Sequence, residues 1–397
     1  MNLHRSRLSP RRLTAGVAVA AMIAGMGGVL AAPTAAANGS AAMREVVKDL
    51  TYRCAFPLVG QQDVTGKVKI TFPDSGTTGE RVVIGDLHID VTLNENIVGA
   101  LRAFQTAYAE GTATADVDAS YDSKELTLGI PDLHIARRDI PPSGTLTTTI
   151  TGVMPSLIVY KAGAISVSAG QQFNAKVDTR KADGTPTALG VLDVPCTVKA
   201  TTPPQDLHLA TIPISGPNVT PARLVPTSGQ VDKDLTYSCD FPRVGPTNVS
   251  GNIKATIPDS GTVGQRLAVT DLLVSAEFNN DVTSTLRQAE AATVGGSGVA
   301  DVDADLDGTV ITFGIPSKIP PVAVPETGSL GAQISPEIPT LIFRAPGTLQ
   351  VSAGELLNGT FTPHKADGSE TELGTFDVLC TVVPGQDRFL GSITITN

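Results

Sequence analysis

The chain has 397 residues, room for two or three domains, and its 41% hydrophobic content is enough for real cores rather than a disordered chain. Only 17% of residues are charged, Gly and Pro number 39 and 28, and Trp is absent, a composition that suits short strands and frequent turns. The formal net charge of −10 would repel a phosphate backbone, so nucleic-acid binding is not expected.

Residues 1–12 hold four arginines and no acid, and Leu13 to Ala32 is almost wholly small or apolar. Ala35-Ala36-Ala37 then offers the small residues a signal peptidase needs. The pattern predicts a signal peptide over 1–37, with an uncleaved membrane anchor as the alternative. With the signal removed, no membrane span is expected, and the localisation is secreted or extracellular.

The stretch Leu50-Thr51-Tyr52-Arg53-Cys54-Ala55-Phe56-Pro57 returns as Leu235-Thr236-Tyr237-Ser238-Cys239-Asp240-Phe241-Pro242. Each copy has a distant partner, around Cys196 and Cys380. Export supplies an oxidising setting, and four cysteines allow three connectivities. The repeat selects Cys54–Cys196 and Cys239–Cys380, which keeps each copy self-contained.

After the first cysteine, Val68, Ile70 and Phe72 alternate with Lys67, Lys69 and Thr71, the period of a half-buried strand. A strand from Arg81 to Leu93 follows, matched by Arg266 to Phe278. Ile97, Leu101, Phe104 and Tyr108 are then spaced four, three and four, which predicts a helix capped by Asn94 or Asn96 and ended by Gly111. In the second copy, Val282 and Leu286 keep this pattern without the aromatics. Strands resume at 115–119 and 300–304 and close at Gly129-Ile130-Pro131 and Gly314-Ile315-Pro316. The last third reads as short strands at 146–151, 157–160, 165–167 and 173–177. Lys181-Ala182-Asp183-Gly184 is the best hairpin turn. The fold expectation is therefore mainly β: two tandem immunoglobulin-like antiparallel β-sandwich domains, each with a short helix and one intradomain disulfide. The domains are 38–214 and 232–397, joined by a Pro-containing linker over 215–231.

The Tyr-x-Cys-x-Phe-Pro opening, the late Cys-Thr-Val and the tandem arrangement resemble a family of secreted actinobacterial proteins whose domain has no assigned function. The resemblance implies export and repeat architecture, and it supplies no activity.

Chemistry-bearing motifs are sparse. None of the five histidines has a histidine at the matching place in the other copy, and no nucleophile elbow, phosphate loop or zinc-protease motif is present. Asp301, Asp303, Asp305 and Asp307 followed by Gly308 resemble the start of a calcium loop, although the acid such a loop needs at its twelfth position is replaced by Gly314. The competing reading is an outward strand face, with the acids in water and Val302, Ala304 and Leu306 in the core. Val324-Pro325-Glu326-Thr327-Gly328 reads as a turn rather than a wall-sorting signal. Tyr52, Tyr237, Phe56 and Phe241 are expected to pack near the bridges. The function expected is a non-enzymatic exported structural or binding protein that meets a protein or a cell-wall polymer and needs no cofactor. The alternatives are a secreted hydrolase with a site assembled from loops, and a calcium-dependent binding module.

Overall fold

Alternating apolar and polar residues build strands wherever the sequence shows them, but the strands are longer than the punctuation suggests. The computed structural model describes residues 42–221 and 231–397. The signal segment 1–37 and most of the linker lie outside them. The first repeat contains β1 (Met43–Phe56), β2 (Gly60–Pro73), β3 (Gly76–Thr77), β4 (Arg81–Val82), β5 (Leu87–Leu93), α1 (Glu95–Ala103), β6 (Tyr108–Tyr121), β7 (Lys124–Asp139), β8 (Leu146–Gly152), β9 (Ser156–Val159), β10 (Gly163–Arg180), β11 (Pro186–Val198) and β12 (His208–Ser215). The second contains β13 (Val231–Phe241), β14 (Gly245–Thr256), β15 (Ser260–Thr262), β16 (Arg266–Leu267), β17 (Thr270–Phe278), α2 (Asn280–Gln288), β18 (Thr293–Leu306), β19 (Thr309–Ala323), β20 (Leu330–Pro336), β21 (Thr340–Phe343), β22 (Gly347–His364), β23 (Phe376–Val382) and β24 (Phe389–Thr396).

Hydrogen bonding runs β1-β2-β5-β8-β7-β6-β10-β11 and returns to β1, so eight antiparallel strands close into a barrel. The second repeat closes the same way, β13-β14-β17-β20-β19-β18-β22-β23 and back to β13. The repeats are thus barrels rather than immunoglobulin-like sandwiches. Closure gives each of these eight strands a neighbour on both sides, whereas a sandwich would have to protect its edge strands by other means. The bridges are Cys54–Cys196 and Cys239–Cys380, with sequence separations of 142 and 141. Each ties the first strand of its barrel to the penultimate strand of its repeat, between directly paired residues.

The helices are shorter than the spacing predicts. Asn94 caps α1 by accepting from the Ile97 amide at 3.1 Å, and Asn279 caps α2. α1 ends at Ala103; Tyr108 and Gly111 already belong to β6. The apolar side of each helix, Ile97 with Leu101 and Val282 with Leu286, faces the interior of its barrel. The Lys181–Gly184 turn forms as expected, but the positive φ (+84°) falls on Gly184 and not on the central residues Ala182 and Asp183, so it is not one of the primed types, which need a positive φ at a central position.

Strands β6, β7 and β10 are too long for the barrel alone. Their far halves run into a central layer, where β10 pairs β12 and β7 pairs β21 from the other repeat (Leu128 opposite Leu341). Reciprocally, β22 pairs β24, and β19 pairs β9 of the first repeat (Thr312 opposite Ile158). The expected strand from Arg81 to Leu93 is split for the same reason: β4 joins β9 on the second repeat's sheet while β5 stays in the first barrel. β16 joins β21 likewise. The repeats are therefore not self-contained. Side chains of both, among them Leu157, Val159, Ile165, Phe313, Phe343 and Leu349, line one shared interior. Leu157, Ile158 and Val159 of the exchanged strand are all buried, each contributing roughly 1.5–3 kcal/mol. The start of the expected linker also folds back, since the Val219 amide donates to the Tyr160 carbonyl at 2.8 Å.

Because each repeat completes the other's sheet, urea denaturation of the whole protein should give one transition by every probe, and two separated transitions would mean independently folded repeats. Replacing Cys239 and Cys380 by Ser should lower the unfolding free energy by roughly 2–5 kcal/mol, read from the same curves.

Candidate functional site

Two buried aspartates lie where the repeats cross. Asp116 on β6 and Asp301 on β18 are each only 5% exposed. An isolated buried carboxylate is costly, so each needs a partner. Arg81 on β4 sends Nη2 to both carboxylate oxygens of Asp301 at 2.6 Å, and its Nη1 donates to Ser156 Oγ on β9 at 2.8 Å. Arg266 on β16 does the same to Asp116, at 2.8 Å to both oxygens, and to Thr340 Oγ1 on β21 at 2.8 Å. Each guanidinium thus holds the other repeat's carboxylate and the exchanged strand of its own repeat.

Glycines make the room. A methyl group at Gly314 would collide with Arg81 and Ser156, and one at Gly129 with Arg266 and Thr340. Gly354 and Gly170 lie equally close to the backbone and Cβ of Asp301 and Asp116. The tyrosines beside the first cysteines lock these glycines, Tyr52 Oη donating to the Gly170 carbonyl at 3.2 Å and Tyr237 Oη to that of Gly354 at 3.3 Å. Burial, reinforced by nearby Asp116 and Asp118, pushes the Tyr52 hydroxyl up to about 12. Burial does the same to Tyr237, also to about 12. Both stay protonated donors in any ordinary solution.

The four aspartates considered for calcium do not converge. Asp301 is held by Arg81. Asp303 accepts from the Thr312 hydroxyl and lies 3.2 Å from Arg388 Nη1. Asp305 accepts from the Gly308 amide at 2.6 Å. Asp307 accepts from Lys124 Nζ of the other repeat at 3.0 Å and from the Thr348 amide at 2.8 Å. Among the described residues, no three His, Cys, Asp or Glu side chains are placed to hold a metal. The alternative reading, acids in water, also fails at Asp301, because the strand exchange covers that face with Arg81. Burial holds the Asp301 and Asp303 carboxyls above the ordinary range, against the pull of Arg81 on the first and of Thr312 and Arg388 on the second. His88, His134 and His208 are exposed and His364 half-buried, on separate strands.

Each barrel also encloses space. In the first, a cavity of about 130 Å³ runs from Ile97 and Leu101 of α1 to the level of Asp116. In the second, the space beneath α2 is only about 20 Å³, and a separate one of about 100 Å³ borders Asp301. On the outside of the second barrel a polar groove, lined by Asp234, Thr236, Asn252, Glu277 and Gln333, crosses β13, β14, β17 and β20.

Arg81→Ala strands a buried carboxylate and should cost about 3–5 kcal/mol in urea unfolding, whereas Arg53→Ala, whose pair with Asp63 is exposed, should cost under about 1 kcal/mol. The raised Asp301 carboxyl keeps a proton that the unfolded chain has released. Its contribution is therefore full below the ordinary value of 3.8 and is lost as pH rises through the raised native value. Measured against Asp301→Asn, the wild type should lose stability as pH climbs above 3.8.

The curated proteins contain no match to this chain. Two solved structures align along most of the length. One is a protein described as membrane anchored from Corynebacterium diphtheriae, 11% identical over 90% of this chain and 97% of its own, with a TM-score of 0.25. The other is a DUF3598-family protein of unknown function from Nostoc punctiforme, 9% identical over 85% and 96%, with a TM-score of 0.14. Residues 51–210 and 236–391 each match one family over nearly the whole of a repeat, and on that ground the chain belongs to the DUF6801 family of unknown function.

Proposed function

We propose that this is a non-enzymatic exported protein of the cell envelope or extracellular space, which presents the outer faces of a two-barrel body to a protein or wall polymer. The observation that carries this reading is the reciprocal strand exchange, locked by Arg81–Asp301 and Arg266–Asp116. It uses the buried carboxylates Asp116 and Asp301, one from each repeat, to hold the two as one body. Two disulfides closing loops of some 140 residues fit an oxidising compartment. Among the described residues no helix is long and apolar enough to cross a membrane.

The polar groove on the second barrel suits a hydrated partner, since its amide, hydroxyl and carboxylate groups point outward from a sheet already paired on both sides. The calcium alternative is weakened by the engagement of Asp301, Asp303 and Asp307 with cations of the protein. Incubating the purified protein with isolated envelope and wall fractions, followed by sedimentation, tests the proposal. Retention that drops at least several-fold when Gln333→Trp blocks the groove is expected. Recovery of all the protein in the supernatant would overturn it.

A further inference from the structure

The two barrels share a frame but not a filling. Beneath α2, Phe241, Phe278, Phe361 and Phe376 pack with ring centroids 5.8–6.4 Å apart. Register identifies their counterparts in the first barrel. Phe241 opposes Gly245 as Phe56 opposes Gly60. Phe278 opposes Leu330 as Leu93 opposes Leu146. Phe361 opposes Phe376 as Val177 opposes Leu192. Three of the four rings are replaced by aliphatic side chains, and all four counterpart positions, Phe56 included, border the 130 Å³ cavity. At the helix end the cavity is thus a property of the side chains and not of barrel closure, since the same end is filled in the other copy, whose remaining space of about 100 Å³ lies apart from it, beside Asp301.

The cavity is also built to be dry. Its polar neighbours are already satisfied: Tyr52 by the Gly170 carbonyl, Thr148 by the Ala136 carbonyl at 3.1 Å, and Asp116 by Arg266. Arg138, the other charged neighbour, is solvent-exposed. A buried water needs two to four polar partners, and an apolar cavity of about 150 Å³ in another protein stays empty of water and takes up benzene or xenon.

We infer that the interior of the first barrel is a binding site for a compact, uncharged hydrocarbon of about the size of benzene. The site deepens between Leu93, Val177 and Leu192 under α1. It excludes charged ligands, because the carboxylate and guanidinium nearest its floor neutralise each other.

The test uses the disulfide-bonded protein and two probes, benzene and xenon. Benzene should raise the melting temperature in a concentration-dependent way, because only the folded state binds it. Crystals under xenon should show the atom between Leu93, Val177 and Leu192. Val177→Phe, which copies Phe361, should abolish both responses without lowering the urea midpoint. Phe361→Val should open a second xenon site beneath α2. No thermal shift with benzene, or xenon found solely in the second barrel near Asp301, would overturn the inference. So would a folded Val177→Phe protein that responds as the wild type does. Should that variant not fold, the position of xenon in the wild type decides alone.

Discussion

A carboxylate buried at the crossing of two repeats sets the terms for the rest of this protein. Asp301 and Asp116 lie where long strands leave one barrel and enter the shared layer, and neither is tolerable there without a cation. The cation comes from the opposite repeat in both cases. A buried ion pair of this kind adds little net stability over a well-packed apolar contact, because desolvation offsets attraction. What it contributes is register, since a slip of one residue in β4 or β16 would turn the arginine to the other face of its strand. The exchanged strands β9 and β21 are then positioned by the same guanidinium groups.

The exchange explains the lengths of the strands. Eight strands of ordinary length would close a barrel and stop. Here β6, β7 and β10, and their twins β18, β19 and β22, continue beyond closure, so each barrel has a sheet that needs covering. The neighbouring repeat supplies both the covering side chains and the extra strands. Duplication has produced one body with an approximate twofold relation rather than two beads on a string.

Within that shared frame the interiors are free to differ. The register that makes Phe361 and Val177 equivalent does not require them to be the same size. The second barrel uses phenyl rings to fill the end beneath its helix, and the first leaves it open. Asymmetry between the repeats has a physical origin in such positions, whereas Arg81, Asp116 and Gly129 at the crossing are matched by Arg266, Asp301 and Gly314.

Local patterns in the sequence carried a good deal. The repeat, the cysteine pairing, the Asn94 cap of the first helix and the strand periodicity at Val68, Ile70 and Phe72 all depend on residues close in sequence or on matched contexts, and all are found in the structure. Barrel closure was not legible, because a strand's alternation records that one face is buried and says nothing of which strand lies beside it. Gly129-Ile130-Pro131 read as a strand end, yet β7 runs through it. The glycine is there to admit an arginine that comes from a different repeat. The aspartates of β18 could be seen as a ladder but not as partners of Arg81 and Lys124, more than a hundred residues away. Chain-local chemistry determined the elements and their bridges. Only the tertiary fold decided which carboxylates were buried, which strands changed partners and which barrel stayed open beneath its helix, because those depend on what is packed against a face and not on the face itself.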